Sequence, residues 1–243
     1  PTYTTATLTR FDAAGKQVSQ VSYTTHNNGV NQPELDLVSM SNGDIMLVEA
    51  NDFNVWGQRY DANLIASGGA VQLNTTSFKR PGLSPVAVTD TVDGGFVVAW
   101  ETQDQTTNNY STDIYAQRFN AAGQQVGGVF SINTYAPGQQ GNVSLDGLNA
   151  GGFVAVWTDN TTAARNVMFQ KFNADGTPNG AATQVATYTS PLVTQNTVVR
   201  VLNDDSFVVT WNTFSSTGTE QTKFQRFSAS GVAIGSVVDV TAS

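Results

Sequence analysis

Short apolar stretches alternate with clusters of Gly, Asn, Asp and Ser along the whole chain. No window of about eleven residues carries a clean 3.6-residue apolar period, so the pattern predicts strands and turns and no long helix. The stretches also repeat. Gly94-Gly95-Phe96-Val97-Val98-Ala99-Trp100 returns as Gly151-Gly152-Phe153-Val154-Ala155-Val156-Trp157 and as Asp205-Ser206-Phe207-Val208-Val209-Thr210-Trp211. A weaker copy, Gly43-Asp44-Ile45-Met46-Leu47-Val48-Glu49, has Glu where the others have Trp. Each copy is followed by Gln58-Arg59-Tyr60, Gln117-Arg118-Phe119, Gln170-Lys171-Phe172 or Gln225-Arg226-Phe227, and Thr9-Arg10-Phe11 is a fifth instance.

A turn follows the aromatic residue. Asp12-Ala13-Ala14-Gly15, Asn120-Ala121-Ala122-Gly123, Asn173-Ala174-Asp175-Gly176 and Ser228-Ala229-Ser230-Gly231 open on a side chain that bonds its own backbone and close on Gly. Asp61-Ala62-Asn63-Leu64 lacks the Gly. Upstream of each Phe-to-Trp element lies another short strand and a tight turn, at Leu35–Val38, Val86–Thr89, Val143–Leu145 and Val198–Leu202. Each repeat is therefore four antiparallel strands, a to d. In strand b, Phe96, Val98 and Trp100 point one way and Val97 and Ala99 the other, so both faces are apolar and both must be covered. A two-sheet sandwich wets one face of most strands, and a β-solenoid has shorter rungs. Four-stranded units of about fifty residues fit blades around an axis.

The predicted fold is all-β, a β-propeller-like array of four-stranded antiparallel blades. The 243 residues read as one repeat domain, with a partial repeat at 1–32 and repeats at about 33–83, 84–141, 142–195 and 196–243. The partial repeat supplies only strands c and d. A fifth incomplete blade, a longer array, or closure of the ring by a homo-oligomer would each account for it.

Charge narrows the partners. There are 19 acidic against 11 basic side chains, a net charge of −8 and a pI near 4.4, a field that repels phosphate backbones, so no nucleic acid is expected. Without cysteine there is no disulfide, thiolate nucleophile or thiolate metal site. One histidine, His26, leaves little for a His-based triad or zinc site and reads as a loop residue with no evident partner. No apolar run approaches the roughly 20 residues of a membrane span, and no signal peptide is visible.

The Gly-Gly-Phe-Val-Val-Ala-Trp element with Ile114-Tyr115-Ala116-Gln117-Arg118-Phe119-Asn120-Ala121-Ala122-Gly123 resembles repeats of large secreted bacterial surface proteins, which are often adhesin-like and often carry hemolysin-type calcium-binding repeats elsewhere. The resemblance implies a secreted or cell-surface setting and a part in adhesion. The Gly-Gly-x-Gly-x-Asp calcium nonapeptide does not occur here.

In an up-and-down blade the tight a–b and c–d turns share one rim, and the variable b–c and d–a connections share the other. Variable loops on a rigid scaffold are where binding is built, so the b–c/d–a rim is the expected functional face. Trp100, Trp157 and Trp211 close strand b there and would stack on a sugar ring if exposed; the other reading is that they wedge neighbouring blades. Glu101, Asp104, Tyr110, Asp159, Asn160 and Asn212 lie beside them as partners for sugar hydroxyls. Asn51-Asp52, Asp159-Asn160 and Asn203-Asp204-Asp205 offer oxygen ligands to Ca²⁺, although turns use these residues anyway; no cofactor is expected. Arg59, Arg118, Lys171 and Arg226 form either an anion ring or contacts to adjoining blades. Glu49, Glu101 and Asp159 are candidates for an acid/base pair, with nothing in their spacing to single out two. The expected function is a non-enzymatic recognition or adhesion module, binding carbohydrate or a matrix component. The alternatives are a building block of an extracellular layer, with self-association, and a polysaccharide hydrolase or lyase.

Overall fold

The computed structural model describes residues 5–26, 33–51, 54–74, 86–103, 111–134, 138–160, 164–189, 193–214 and 218–240, which are all-β with no helix among them. Strands β1 (Thr5–Phe11) and β2 (Gln17–Thr24) form a two-stranded sheet. Blade 1 is β3 (Glu34–Ser39), β4 (Ile45–Ala50), β5 (Val55–Tyr60) and β6 (Val71–Gln72). Blade 2 is β7 (Ala87–Asp90), β8 (Phe96–Gln103), β9 (Thr112–Phe119) and β10 (Gln125–Ser131). Blade 3 is β11 (Gln139–Gly147), β12 (Phe153–Asn160), β13 (Ala164–Phe172) and β14 (Thr183–Thr189). Blade 4 is β15 (Val193–Val201), β16 (Phe207–Phe214), β17 (Glu220–Phe227) and β18 (Ala233–Asp239). Every blade is antiparallel in chain order, and blades 2 and 3 touch through one parallel pairing, Thr112 with Gln139.

The blades are radial. Their first strands, β3, β7, β11 and β15, together line one central cavity. The faces of strand b then explain the stacking. Phe96, Val98 and Trp100 pack back against Met46, Val48 and Ala50 of blade 1. Phe153, Ala155 and Trp157 pack against Val97, Ala99 and Ile114 of blade 2, and Phe207, Val209 and Trp211 against Val154, Val156 and Val167 of blade 3. In each of these blades the first aromatic of b stacks on the last aromatic of c: Phe96 on Phe119 and Phe153 on Phe172, both at 4.8 Å, and Phe207 on Phe227 at 5.2 Å. Such pairs add about 0.5–1.5 kcal/mol each beyond area burial.

The recurring Gln of strand c is internal cement for its own blade. Gln58, Gln117, Gln170 and Gln225 are buried, and each Nε2 donates to the carbonyl of the next residue and to one on strand d or its approach. The basic neighbour works between blades. Arg59 donates to the Ala121 carbonyl at 2.5 Å, Lys171 to the Ala229 carbonyl at 2.5 Å, and Arg10 to the Ala62 carbonyl, each acceptor lying in the c–d turn of the following blade. Arg59 also pairs with Asp44, Arg118 with Asp93 and Arg226 with Asp204. These residues are inter-blade and intra-blade contacts.

Two local expectations are corrected. Strand b runs about three residues past its Trp, so Glu101, Asp159, Asn160 and Asn212 stand in β8, β12 and β16 and not in loops. Strand a is longer than its apolar core in blades 3 and 4, starting at Gln139 and Val193, because a bulge interrupts each: Asn142 and Asn196 take left-handed φ of 55° and 52° where the ladder shifts register.

Candidate functional site

The three indoles expected on the rim are packed between blades. Trp100, Trp157 and Trp211 are 1%, 2% and 0% exposed, and the Trp211 N–H donates to the Tyr188 hydroxyl at 3.0 Å. Strand b is covered on both faces, so its terminal Trp belongs to the blade interface, and no sugar stacks there. Asn212 is tied to strand c, donating to Glu220 at 2.8 Å and accepting from Thr222 at 3.2 Å. Asp104 and Tyr110 lie outside the described residues.

Glu49 takes the Trp position of blade 1 and is fully buried. Strand β2 supplies what the smaller side chain needs. The Tyr23 hydroxyl donates to Glu49 Oε2 at 2.6 Å, and the His26 backbone N–H donates to Oε1 at 2.7 Å. Burial first, then the hydrogen bond to Glu49, pushes the Tyr23 phenol far above its ordinary value. His26 is no bystander: its Nδ1 lies 3.1 Å from Glu49 Oε2 and its ring stacks on Trp56 at 4.1 Å. The group anchors β1 and β2 on blade 1. Its one sequence signal was Glu in a Trp position.

Glu101 and Asp159 both meet strand β11. Glu101 faces blade 3 and Asp159 faces blade 2, by the alternation that sends Val97 and Ala99 one way and Phe153 and Ala155 the other. Glu101 is buried and accepts the Asn142 backbone N–H at 2.5 Å, and Asp159 accepts from Gln140 at 3.3 Å. Beside Glu101 a polar recess of 220 Å³ is lined by Thr112, Gln140, Asn142, Thr158 and Asn160, and Asp159 is not part of its lining. Gly141 is glycine because a Cβ there would sit 2.8 Å from Glu101 Oε2.

Asn142 also lines the central cavity, which has a volume of 440 Å³. That is within the roughly 300–1,000 Å³ of small-molecule sites. Strand a pairs with b on one edge only, so its other N–H groups need partners. Acidic and hydroxyl side chains from the preceding blade supply some of them. Asp36 accepts from Val88 at 2.9 Å and from Leu37 at 2.8 Å, Asp146 accepts from Val201 at 2.6 Å, and Ser144 accepts from Val199 at 3.3 Å. Burial pushes the carboxyls of Asp36 and Asp146 up from the ordinary carboxylate value, against the pull of those N–H donors and of Arg200, which acts on both. Asp90, at the end of β7, is raised by burial too, and its charge adds to the rise at Asp146. None of these three carboxyls was singled out by the sequence. Among the described residues, no three Asp, Glu or His side chains converge as a metal site would require. Asp204 and Asp205 serve turns instead, Asp204 accepting from Ser206 and Asp205 from the Asn149 and Ala150 N–H groups of blade 3.

No protein family and no characterised relative matches the chain by sequence. Solved structures match its fold. An endo-arabinase from Bacteroides thetaiotaomicron is 12% identical with a TM-score of 0.56, over 88% of this chain and 82% of that one. A thermostable family-43 glycoside hydrolase is 8% identical with a TM-score of 0.52, over 90% and 76%. A Dyadobacter fermentans protein of unknown function gives 9% and 0.61, over 87% and 70%. At these identities the likeness is one of fold. The expectation of a non-enzymatic module, which rested on no spacing singling out a carboxylate pair, is corrected here, since two of these neighbours are glycoside hydrolases by name. The chain has the β-propeller fold.

Proposed function

We propose that the chain is a carbohydrate-active propeller that takes a saccharide from the b–c/d–a rim into its central channel and hydrolyses a glycosidic bond there. The observation that carries this reading is the pair of Asp36 and Asp146, whose carboxyls burial raises towards protonation beside Arg200 in a cavity of saccharide size. Glycoside hydrolysis needs one carboxyl that is protonated near neutral pH and one that is ionised. In this reading the carboxyl that is protonated donates to the leaving oxygen, and the one that is ionised draws a proton from water or attacks carbon. The Glu101–Asn142 recess, which shares the Asn142 side of its lining with the central cavity, offers partners for sugar hydroxyls. The chemistry asks for no metal. A secreted or surface setting and a glycan partner are parts of the same proposal, supported by the repeat resemblance and by the named activities of the fold neighbours.

Asp36→Asn and Asp146→Asn test it, since the amide oxygen can still accept the Val88 or Val201 N–H and so keep the inter-blade bond. The wild-type chain is expected to release reducing ends from at least one member of a polysaccharide panel. Each variant is expected to lose about 100-fold or more of that rate, the scale of general acid–base catalysis, with its melting temperature held within a few degrees. The variant at the proton donor should keep its rate on dinitrophenyl glycosides, whose leaving group needs no proton. A wild-type chain that turns over no polysaccharide, or Asn variants as fast as wild type, overturns the reading.

A further inference from the structure

The residue that follows the Trp position of strand b is Ala50, Thr158 and Asn212 in blades 1, 3 and 4, and a carboxylate, Glu101, in blade 2. Glu101 is 4% exposed, and strand β11 is shaped to receive it. The bulge there turns the Asn142 N–H onto Glu101 Oε1, through a left-handed φ of 55° that Asn tolerates, and sets Gly141 against the carboxylate with no side chain between. No Lys or Arg lines the recess beside it, whose other walls are amides, threonines and Gly141. The Thr112 and Thr158 hydroxyls donate to the Gln140 and Gly141 carbonyls, so each is left as an acceptor. Asn160 Oδ1 is buried with no hydrogen-bond partner among the described residues. A recess walled by acceptors around a buried negative charge selects a cation that also donates hydrogen bonds.

We propose that this recess is a subsite for the ammonium group of an amino sugar, an inference that rests on the saccharide reading of the central channel. Size and place support this occupant. At 220 Å³ the recess is smaller than the roughly 300–1,000 Å³ that encloses a whole small molecule, so it takes one substituent of a longer ligand. Asn142 lines both the recess and the 440 Å³ central cavity, so the rest of that ligand has room beside it. An ammonium is a compact cation with three donors, which suits one carboxylate among neutral oxygens; a hydroxyl brings one donor and no charge to match Glu101. Asp146 stands four residues beyond Asn142 on β11, up to roughly 13 Å of extended chain, so the subsite holds a sugar removed from the cleaved bond. It therefore sets affinity and the choice of saccharide, and leaves the chemical step alone.

The probes are β-linked tetramers of glucosamine, N-acetylglucosamine and glucose, which carry an ammonium, an acetamide or a hydroxyl at the same carbon. They are titrated by calorimetry into the full chain at about pH 6, where the amine is charged, with reducing ends assayed in parallel. Salt at about 0.15 M screens the general attraction of an acidic protein for a polycation. The glucosamine tetramer is expected to bind about tenfold or more tighter than the other two, the scale of a hydrogen bond to a charged group. Glu101→Gln keeps an oxygen for the Asn142 N–H and is expected to abolish that preference, whereas general attraction would survive the loss of one charge from a net −8. Asn160→Ala breaks no hydrogen bond of Oδ1, should melt as wild type does, and should weaken the glucosamine tetramer several-fold, which keeps the test if Glu101→Gln fails to fold. Equal affinity for the three tetramers, absence of binding included, or an ammonium preference that the variants retain, overturns the proposal. So does butylamine binding as tightly as the glucosamine tetramer, since the recess then takes any amine. The hydrolytic reading fails separately: a preference lost in Glu101→Gln with no reducing ends upholds the subsite, and reducing ends with no preference strike the subsite alone.

Discussion

Replacing Trp157 by Ala is expected to destabilise the protein by about 3–5 kcal/mol, the usual cost of truncating a fully buried Trp or Phe. The ring is 2% exposed and fills the seam between blades 2 and 3 with Phe153, Ala155, Val97 and Ile114. The cavity left behind cannot collapse easily, because its two walls are separate sheets, each fixed by its own hydrogen bonds. Trp211→Ala should behave alike and also strand the Tyr188 hydroxyl that its N–H meets. Denaturant unfolding checks the expectation. A sugar-stacking Trp would lose affinity at unchanged stability, so a stability loss below about 1 kcal/mol would contradict the buried placement.

Gly152→Ala is expected to cost on the order of 4 kcal/mol, where backbone strain and overpacking coincide. Gly152 has φ of +84°, and a Cβ on it would lie well inside contact distance of the Phe172 carbonyl oxygen. In blades 2 and 3 strand c passes so close to the start of strand b that a Cβ at the second Gly would clash, whereas blade 4 holds Ser206 there. Gly95 meets the Phe119 carbonyl in the same way, and Gly95→Ala should be nearly as damaging. By contrast Gly15→Ala, where nothing lies within 4 Å, should show only the strain of its φ of +77°, roughly 1–2 kcal/mol. Thermal melts of the three variants order the effects. Equal losses in all three would remove the close-approach argument.

The blades were legible because strand b is apolar on both faces and so must be covered on both, in a chain whose pattern offers no helix to cover it. Their ends were not. Beyond each Trp the strand continues in polar residues, Glu101-Thr102-Gln103 or Thr158-Asp159-Asn160, which local propensity assigns to loops but which the facing strand holds in register. The burial of the indoles was foreseeable from the face that they share with Phe96, Phe153 and Phe207, although position at a rim pointed to exposure. Asp36 and Asp146 were missed for a plainer reason. Each sits in a strand whose importance depends on a backbone N–H some 50 residues away, and nothing local distinguishes it from the turn aspartates that outnumber it. His26 was misread likewise: its partners Glu49 and Trp56 belong to blade 1, and only the docking of β2 brings them to it.

The claim on which the functional account rests is that two carboxyls inside the channel are held above the ordinary carboxylate range and meet the ligand. Carbon-detected NMR titration of the Asp36 and Asp146 side chains, assigned with the two Asn variants and repeated with a hydrolysis-resistant oligosaccharide, measures this directly. The account predicts that both carboxyls titrate above the usual value near 4 for aspartate, and that the oligosaccharide shifts both resonances. Ordinary titration of both groups, together with resonances indifferent to every saccharide tried, would contradict it.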